Sequence, residues 1–302
     1  MGRTEIVVGV DGSDHALHAV GWAAAEAGLR GAALRLVHAG DEPPAAPWPL
    51  EVLARAFAVA RRAEPGIEVT TTRSPAEPVP ALLDASSGAA LLVVGMGGDT
   101  QRVLPGSVAL DVSARASCPV VVVRGAPVPP RGPVLVGVDT VEGDAPALTL
   151  AFSDARRHGG RVAVLHARAT ADPPVPPAVE QASDVAERDR LRAALAPWTA
   201  RFPGVPVEVT VVHDVPALAL LRAAEGARLV VVGTRAHGAY ARSLFGSTSR
   251  EVLRRSPVTV VVVDPAAADA VADTAVPDDA VPDDAAPWDP LLDHPHDRGA
   301  LF

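Results

Sequence analysis

The chain is written twice. EIVVGVDGS near residue 5 returns as PVLVGVDTV near residue 133, LRLVH (34–38) as VAVLH (162–166), and LLVVG (91–95) as LVVVG (229–233). Gly106-Ser107 opens a segment ending in PVVVV (119–123), and Gly246-Ser247 opens one ending in VTVVVV (258–263). The offset between copies grows from 128 residues at Asp11/Asp139 to 140 at Gly106/Gly246, so insertions fall between shared elements and not inside them. A repeat of about 130 residues is a whole domain, not a solenoid unit. The expected organisation is a first domain over 1–126, a linker over 127–132, a second domain over 133–264 and a tail over 265–302.

Composition narrows what two such domains can do. The net charge is −9, but nine Asp and one Arg from Pro265 onward carry −8 of it. The folded body is therefore near neutral, which argues against nucleic acid and against an anionic membrane surface as partners. All 27 basic residues are arginine. Without a lysine there is no Walker A loop and no Schiff-base chemistry. The N-terminus has no apolar signal-peptide core, and no apolar run reaches a membrane span, so a soluble, cytoplasmic protein is expected. Cys118 stands alone before a valine-rich run and reads as a buried, inert thiol. The Ala/Pro/Asp tail, with its repeated AVPDDA, lacks the apolar content to offset ordering and is expected to be disordered.

Within each copy, apolar runs alternate with helical patterns. Ile6–Val10, Leu34–Val37, Ile67–Thr71, Leu91–Val94 and Val120–Val123 read as strands buried on both faces, as in a parallel sheet. Val134–Val138, Val162–Leu165, Val207–Val212, Leu229–Val232 and Val260–Val263 repeat the order. Leu17/Val20/Ala24, Leu50/Leu53/Phe57 and Val79/Leu82/Leu83 have helical spacing, as does the longer Leu191/Leu195/Trp198 stretch of copy two. The fold class is α/β: two doubly wound domains with right-handed crossovers. The last strand of each copy is apolar on both faces and would leave a bare, aggregation-prone edge. Pairing the two about a pseudo-twofold axis covers both.

Two features of each copy point to one crevice. An aspartate ends the first strand, Asp11 in VGVDGS and Asp139 in VGVDTV. A glycine-punctuated loop follows the fourth strand: Gly95 and Gly98 leading to Gly106-Ser107, and Gly233 and Arg235 leading to Gly246-Ser247-Thr248. In a doubly wound sheet, ligands bind beyond the carboxyl ends of the strands where the strand order reverses. Glycines and a helix N-terminus offer amide N–H groups to phosphate. The aspartate opposite could hold a ribose hydroxyl or a magnesium ion, making Asp11 and Asp139 the candidate metal ligands. Each piece also has a structural reading: Gly-Ser as an ordinary helix cap, Asp11-Gly12-Ser13 as a capped turn. His38 and His166, ending the second strands in register, read as structural.

In this order, and twice, the elements resemble the universal stress protein family over residues 4–124 and 133–263, on VGVDGS, the VVG strand ends, the Gly-Ser helix starts and the PVVVV finish. The resemblance implies sheets of order 3-2-1-4-5, dimerisation through the last strand (here an intramolecular pseudo-dimer), and ATP on a loop of pattern G-x2-G-x9-G-(S/T). It further implies that the backbone at Val37 and Leu165 meets the adenine. Copy one departs from the loop pattern, with seven residues between Gly98 and Gly106 and an added Asp99. Copy two keeps nine, with Arg235, His237 and Arg242, but has Ala236 at the second glycine. Alanine there costs a tolerable ~1 kcal/mol if φ is positive, whereas the shortened loop of copy one moves several donors at once, so copy two is expected to make the phosphate contact. The function expected is adenine-nucleotide sensing in a stress response, with no catalysis beyond slow ATP hydrolysis, acting on an unidentified protein partner. A nucleotide-free scaffold, and further pairing into a homodimer, are the other possibilities.

Overall fold

A computed structural model describes residues 4–40, 48–96, 107–125, 132–168, 176–234 and 246–265. The tail past Pro265 lies outside these. In the first half β1 (Glu5–Gly9), α1 (Asp14–Arg30), β2 (Ala33–Ala39), α2 (Trp48–Ala63), β3 (Val69–Ser74), α3 (Pro78–Ala85), β4 (Leu91–Gly95), α4 (Ser107–Arg115) and β5 (Val120–Val123) alternate. The second half runs β6 (Val134–Gly137), α5 (Ala145–Arg157), β7 (Val162–Arg168), α6 (Pro177–Ala194), α7 (Ala196–Arg201), β8 (Val207–His213), α8 (Pro216–Ala223), β9 (Leu229–Gly233), α9 (Ser247–Arg255) and β10 (Val260–Val263).

All ten strands form one sheet, β3-β2-β1-β4-β5-β10-β9-β6-β7-β8, parallel within each half. Each half therefore has the 3-2-1-4-5 order. The halves join where β5 and β10 pair antiparallel, with Val121 opposite Val261. These two are equivalents at the 140-residue offset, so the pseudo-twofold axis passes through their pair. All eight valines of β5 and β10 are at most 3% exposed. At about 1.5–3 kcal/mol for each buried side chain of this size, covering these edges is a principal stabilising term.

Several elements differ from the sequence pattern. The third strand starts at Val69, with Ile67 packed in the core just ahead of it. β3 and β8 are the outer edges, and both expose alternate or consecutive polar residues such as Thr70–Thr72, Glu208 and Thr210. The helical stretch of copy two breaks at Leu195 into α6 and α7, because Pro197 in the first turn of α7 has no N–H to continue the ladder. In α2 the core face is Leu53, Ala56 and Ala60, while Leu50 and Phe57 are exposed. Cys118 is buried, and burial pushes its thiol up to about 12, the inert state expected of it. No described helix is long and apolar enough to cross a membrane.

Charge also crosses the junction. Glu26 of α1, only 2% exposed, accepts from Arg30 at 2.6 Å, and pairs across to Arg157 at 3.4 Å and His158 at 3.0 Å. Asp154, equally buried, holds Arg228 at 3.3 Å and lies 3.7 Å from His158. Glu26 and Asp154 are equivalents at the 128-residue offset, as are Arg30 and His158. Burial alone would raise the Glu26 carboxyl; Arg30, His158 and Arg157 outweigh it and hold it well below the usual range. Also between the halves, the Arg124 guanidinium of the first donates to the Leu253 carbonyl of the second.

Candidate nucleotide site

In copy one the DGS sequence builds a closed turn. Gly12 takes φ +85°, the left-handed region that favours glycine. Asp11 Oδ1 then accepts from the Ser13 amide at 3.0 Å and hydroxyl at 2.6 Å. Ser13 Oγ in turn accepts from Ala16 N and caps α1. Asp11 thus has the turn-forming role while staying exposed. Gly95 ends β4 directly against the α1 main chain at His15 and Ala16. Gly98 and Gly106 lie outside the described residues, and of Ser107 only its place as the first residue of α4 is described.

Copy two is built differently. Its helix starts six residues after the strand-end aspartate, not three. The turn is closed from the far side: Asp144 Oδ2 accepts from the amides of Asp139 (2.8 Å) and Thr140 (3.3 Å). Asp144 is buried, and its other oxygen lies by Gly233. Sequence reasoning missed Asp144, although Asp-Ala-Pro ahead of a helix carries the N-cap and first-turn proline signature.

Around this turn is an open cleft of about 230 Å³. Gly137, Val138, Asp139 and Asp144 form one wall, Leu165 and Ala167 of β7 a second, and Pro216 and Leu220 of α8 a third. Val232, Gly233 and the residues Gly246, Ser247, Thr248 and Ser249 complete it. The cleft therefore brings together Asp139, Leu165, Gly233, Gly246, Ser247 and Thr248; Arg235 lies outside the described residues. Gly246, extended at φ −60°, ψ 146°, is the N-cap of α9 and has no side chain to offer its first-turn amides. Ser249 Oγ donates to the Gly233 carbonyl at 2.5 Å, and Gly246 N to Thr234 O at 2.9 Å, tying the helix start to the end of β9. Neither Thr234 nor Ser249 was a sequence candidate.

The Val37 and Leu165 carbonyls accept from Val10 N (2.8 Å) and Val138 N (3.0 Å) in the sheet ladder. Beyond the cleft the acidic face of α6 lies over the strand ends: Asp184 meets His213 (2.8 Å) and Arg168 (3.4 Å), and Glu187 lies 3.9 Å from His166. Its hydrogen bond from Arg190 lowers the Glu187 carboxyl. Among the described residues, one group of His, Asp and Glu side chains is close enough to share a cation, Glu26, Asp154 and His158 at the junction. Arg30, Arg157 and Arg228 already neutralise its carboxylates.

The universal stress protein family model matches residues 2–124 and 130–264. The universal stress protein Rv2623 of Mycobacterium tuberculosis is 37% identical over 285 residues, covering 84% of this chain and 95% of its own. A universal stress protein of Mycolicibacterium smegmatis is 35% identical, covering 86% and 97%. Among solved structures, a universal stress protein from Archaeoglobus fulgidus superposes with a TM-score of 0.65 at 20% identity, over 87% of this chain and 99% of that one. With the model matched on both halves, the chain belongs to the universal stress protein family, as a tandem of two family domains in one polypeptide.

Proposed function

We propose that the protein binds adenine nucleotide, with ATP and an accompanying magnesium ion as the ligand, in the cleft of its second half, and signals stress by that binding. The observation that carries this reading is the convergence, in one cleft, of an exposed strand-end aspartate and the glycine-led N-terminus of α9. The α9 amides and the helix dipole suit a phosphate chain. Asp139 suits a ribose hydroxyl, or a magnesium ion riding on the phosphates; Asp11 has the corresponding role in copy one. Leu165 and Leu220 suit the flat apolar base. The base edge would be read by the Ala167 main chain, two residues past Leu165 on the same side of the strand, with Ala39 its counterpart in copy one.

Binding, not turnover, is the proposed activity. Among the described residues of the cleft, the titratable side chains are Asp139 and Asp144, and Ser249 Oγ is donated to a carbonyl. That is not a nucleophile paired with a base. An unidentified protein partner is proposed to receive the signal, and the setting is proposed to be cytoplasmic. Equilibrium titration of purified protein with ATP and magnesium tests the reading. Saturable micromolar binding is expected, and Gly246→Val, which sets a branched side chain over the α9 amides, should weaken it at least tenfold. No saturation at millimolar ATP would leave a nucleotide-free scaffold as the better account.

A further inference from the structure

The geometry points to His166 as a positioning residue for the nucleotide cleft: its ring N–H replaces a ladder hydrogen bond and so releases the Ala167 main chain to a ligand. The inference rests on the adenine-nucleotide reading of that cleft. In the β6–β7 ladder, Val138 N donates to Leu165 O. Residues two apart on a strand share a side, so the next bond in line would run from Ala167 N–H to the Val138 carbonyl. At that carbonyl stands the His166 ring, Nδ1 to oxygen 2.9 Å. A carbonyl only accepts, so Nδ1 carries the hydrogen in the neutral ring as in the protonated one. The ladder ends here because a side chain has taken the acceptor.

Copy one makes the same substitution. His38 Nδ1 lies 2.8 Å from Val10 O, and Val10 N donates to Val37 O. Two copies whose loops have drifted apart in length and composition keep one histidine contact to within a tenth of an ångström. The location gives the contact its consequence. Val138 is followed by Asp139, so the ring also fixes the peptide that aims Asp139 into the cleft, with Ala167 lining the opposite wall. A backbone left extended but unladdered beside an apolar wall is where a planar base with a donor–acceptor edge can complete the bonding.

The test uses asparagine, whose side-chain N–H₂ reaches the place of Nδ1, and glutamine, whose N–H₂ reaches the place of Nε2. Nucleotide affinity and thermal stability are measured for the full chain and for His166→Ala, His166→Asn and His166→Gln. His166→Ala and His166→Gln should each weaken ATP binding about tenfold or more, and His166→Asn should stay within about threefold of the parent. Unchanged affinity in His166→Ala, or equal losses in Asn and Gln, overturns the positioning role. If His166→Ala fails to fold, the Asn-against-Gln comparison decides alone. Absence of binding in the parent protein instead removes the underlying nucleotide reading.

Discussion

Glu26→Ala is expected to lower the unfolding free energy by about 3–5 kcal/mol, the cost of leaving buried charge without its partner. Glu26 is the carboxylate on which Arg30, Arg157 and His158 converge, and both arginine side chains are at most 6% exposed. Removing it leaves two buried guanidinium groups facing each other across the junction of the halves. Burial and Arg30 already press Arg157 down to about 10 with Glu26 in place. For a folded body of this size the melting temperature should fall on the order of 10 °C. A surface pair supplies the contrast. Glu251 meets Arg255 at 2.9 Å with side chains 40% and 59% exposed, and Glu251→Ala should cost under about 1 kcal/mol. Equal effects in the two variants would show that the junction cluster contributes no more than a solvent-screened pair.

The same cluster sets a pH signature. The folded-state Glu26 carboxyl is held below its ordinary 4.5. Its contribution is therefore complete above that value and is lost as pH falls towards the folded one. The stability gap between the parent and Glu26→Gln, present at about pH 5, should close as the pH falls below 4.5.

How far the sequence could be read follows from the range of each interaction. The valine runs announce the strands because a parallel strand must be apolar on both faces, and the bare edges of Val120–Val123 and Val260–Val263 announce their own pairing. Local chemistry such as Asp11-Gly12-Ser13 is legible too, since its partners are two and three residues apart. What pattern alone hides is who meets whom over long distances. Glu26 sits in the alanine-rich GWAAAEAGLR, where a lone carboxylate in an apolar face was the available sign of a buried partner, yet nothing local names Arg157 or His158. Leu50 and Phe57 keep helical spacing but are exposed, because spacing fixes a face without saying what covers it. In copy two the cleft depends on a delayed helix start and on Asp144 reaching back, which comparison of the two repeats by motif passes over.

That delayed start carries the last prediction. In copy one α1 begins three residues after Asp11, and its main chain fills the space beside Gly95. A β-carbon at Gly95 would land on the His15 carbonyl and 2.8 Å from Ala16 N. Backbone cannot rotate away as a side chain can, so α1 would have to move off β4. Gly95→Ala should therefore cost at least about 3 kcal/mol, the upper end for overpacking. In copy two α5 is set back, and the corresponding space holds the Asp144 carboxylate. A β-carbon at Gly233 would meet Asp144 Oδ1 at 3.0 Å, the tip of a side chain that can give by a few tenths of an ångström. Gly233→Ala should cost less than about 1.5 kcal/mol, while displacing a carboxylate that lines the cleft. Thermal or denaturant unfolding of the two variants decides it. A large loss at Gly95 with a small one at Gly233 means that retraction of the α5 start is what opens the second cleft. Equal losses would mean that both helices abut their strands alike, and the difference between the two sites would then have to come from the loops alone.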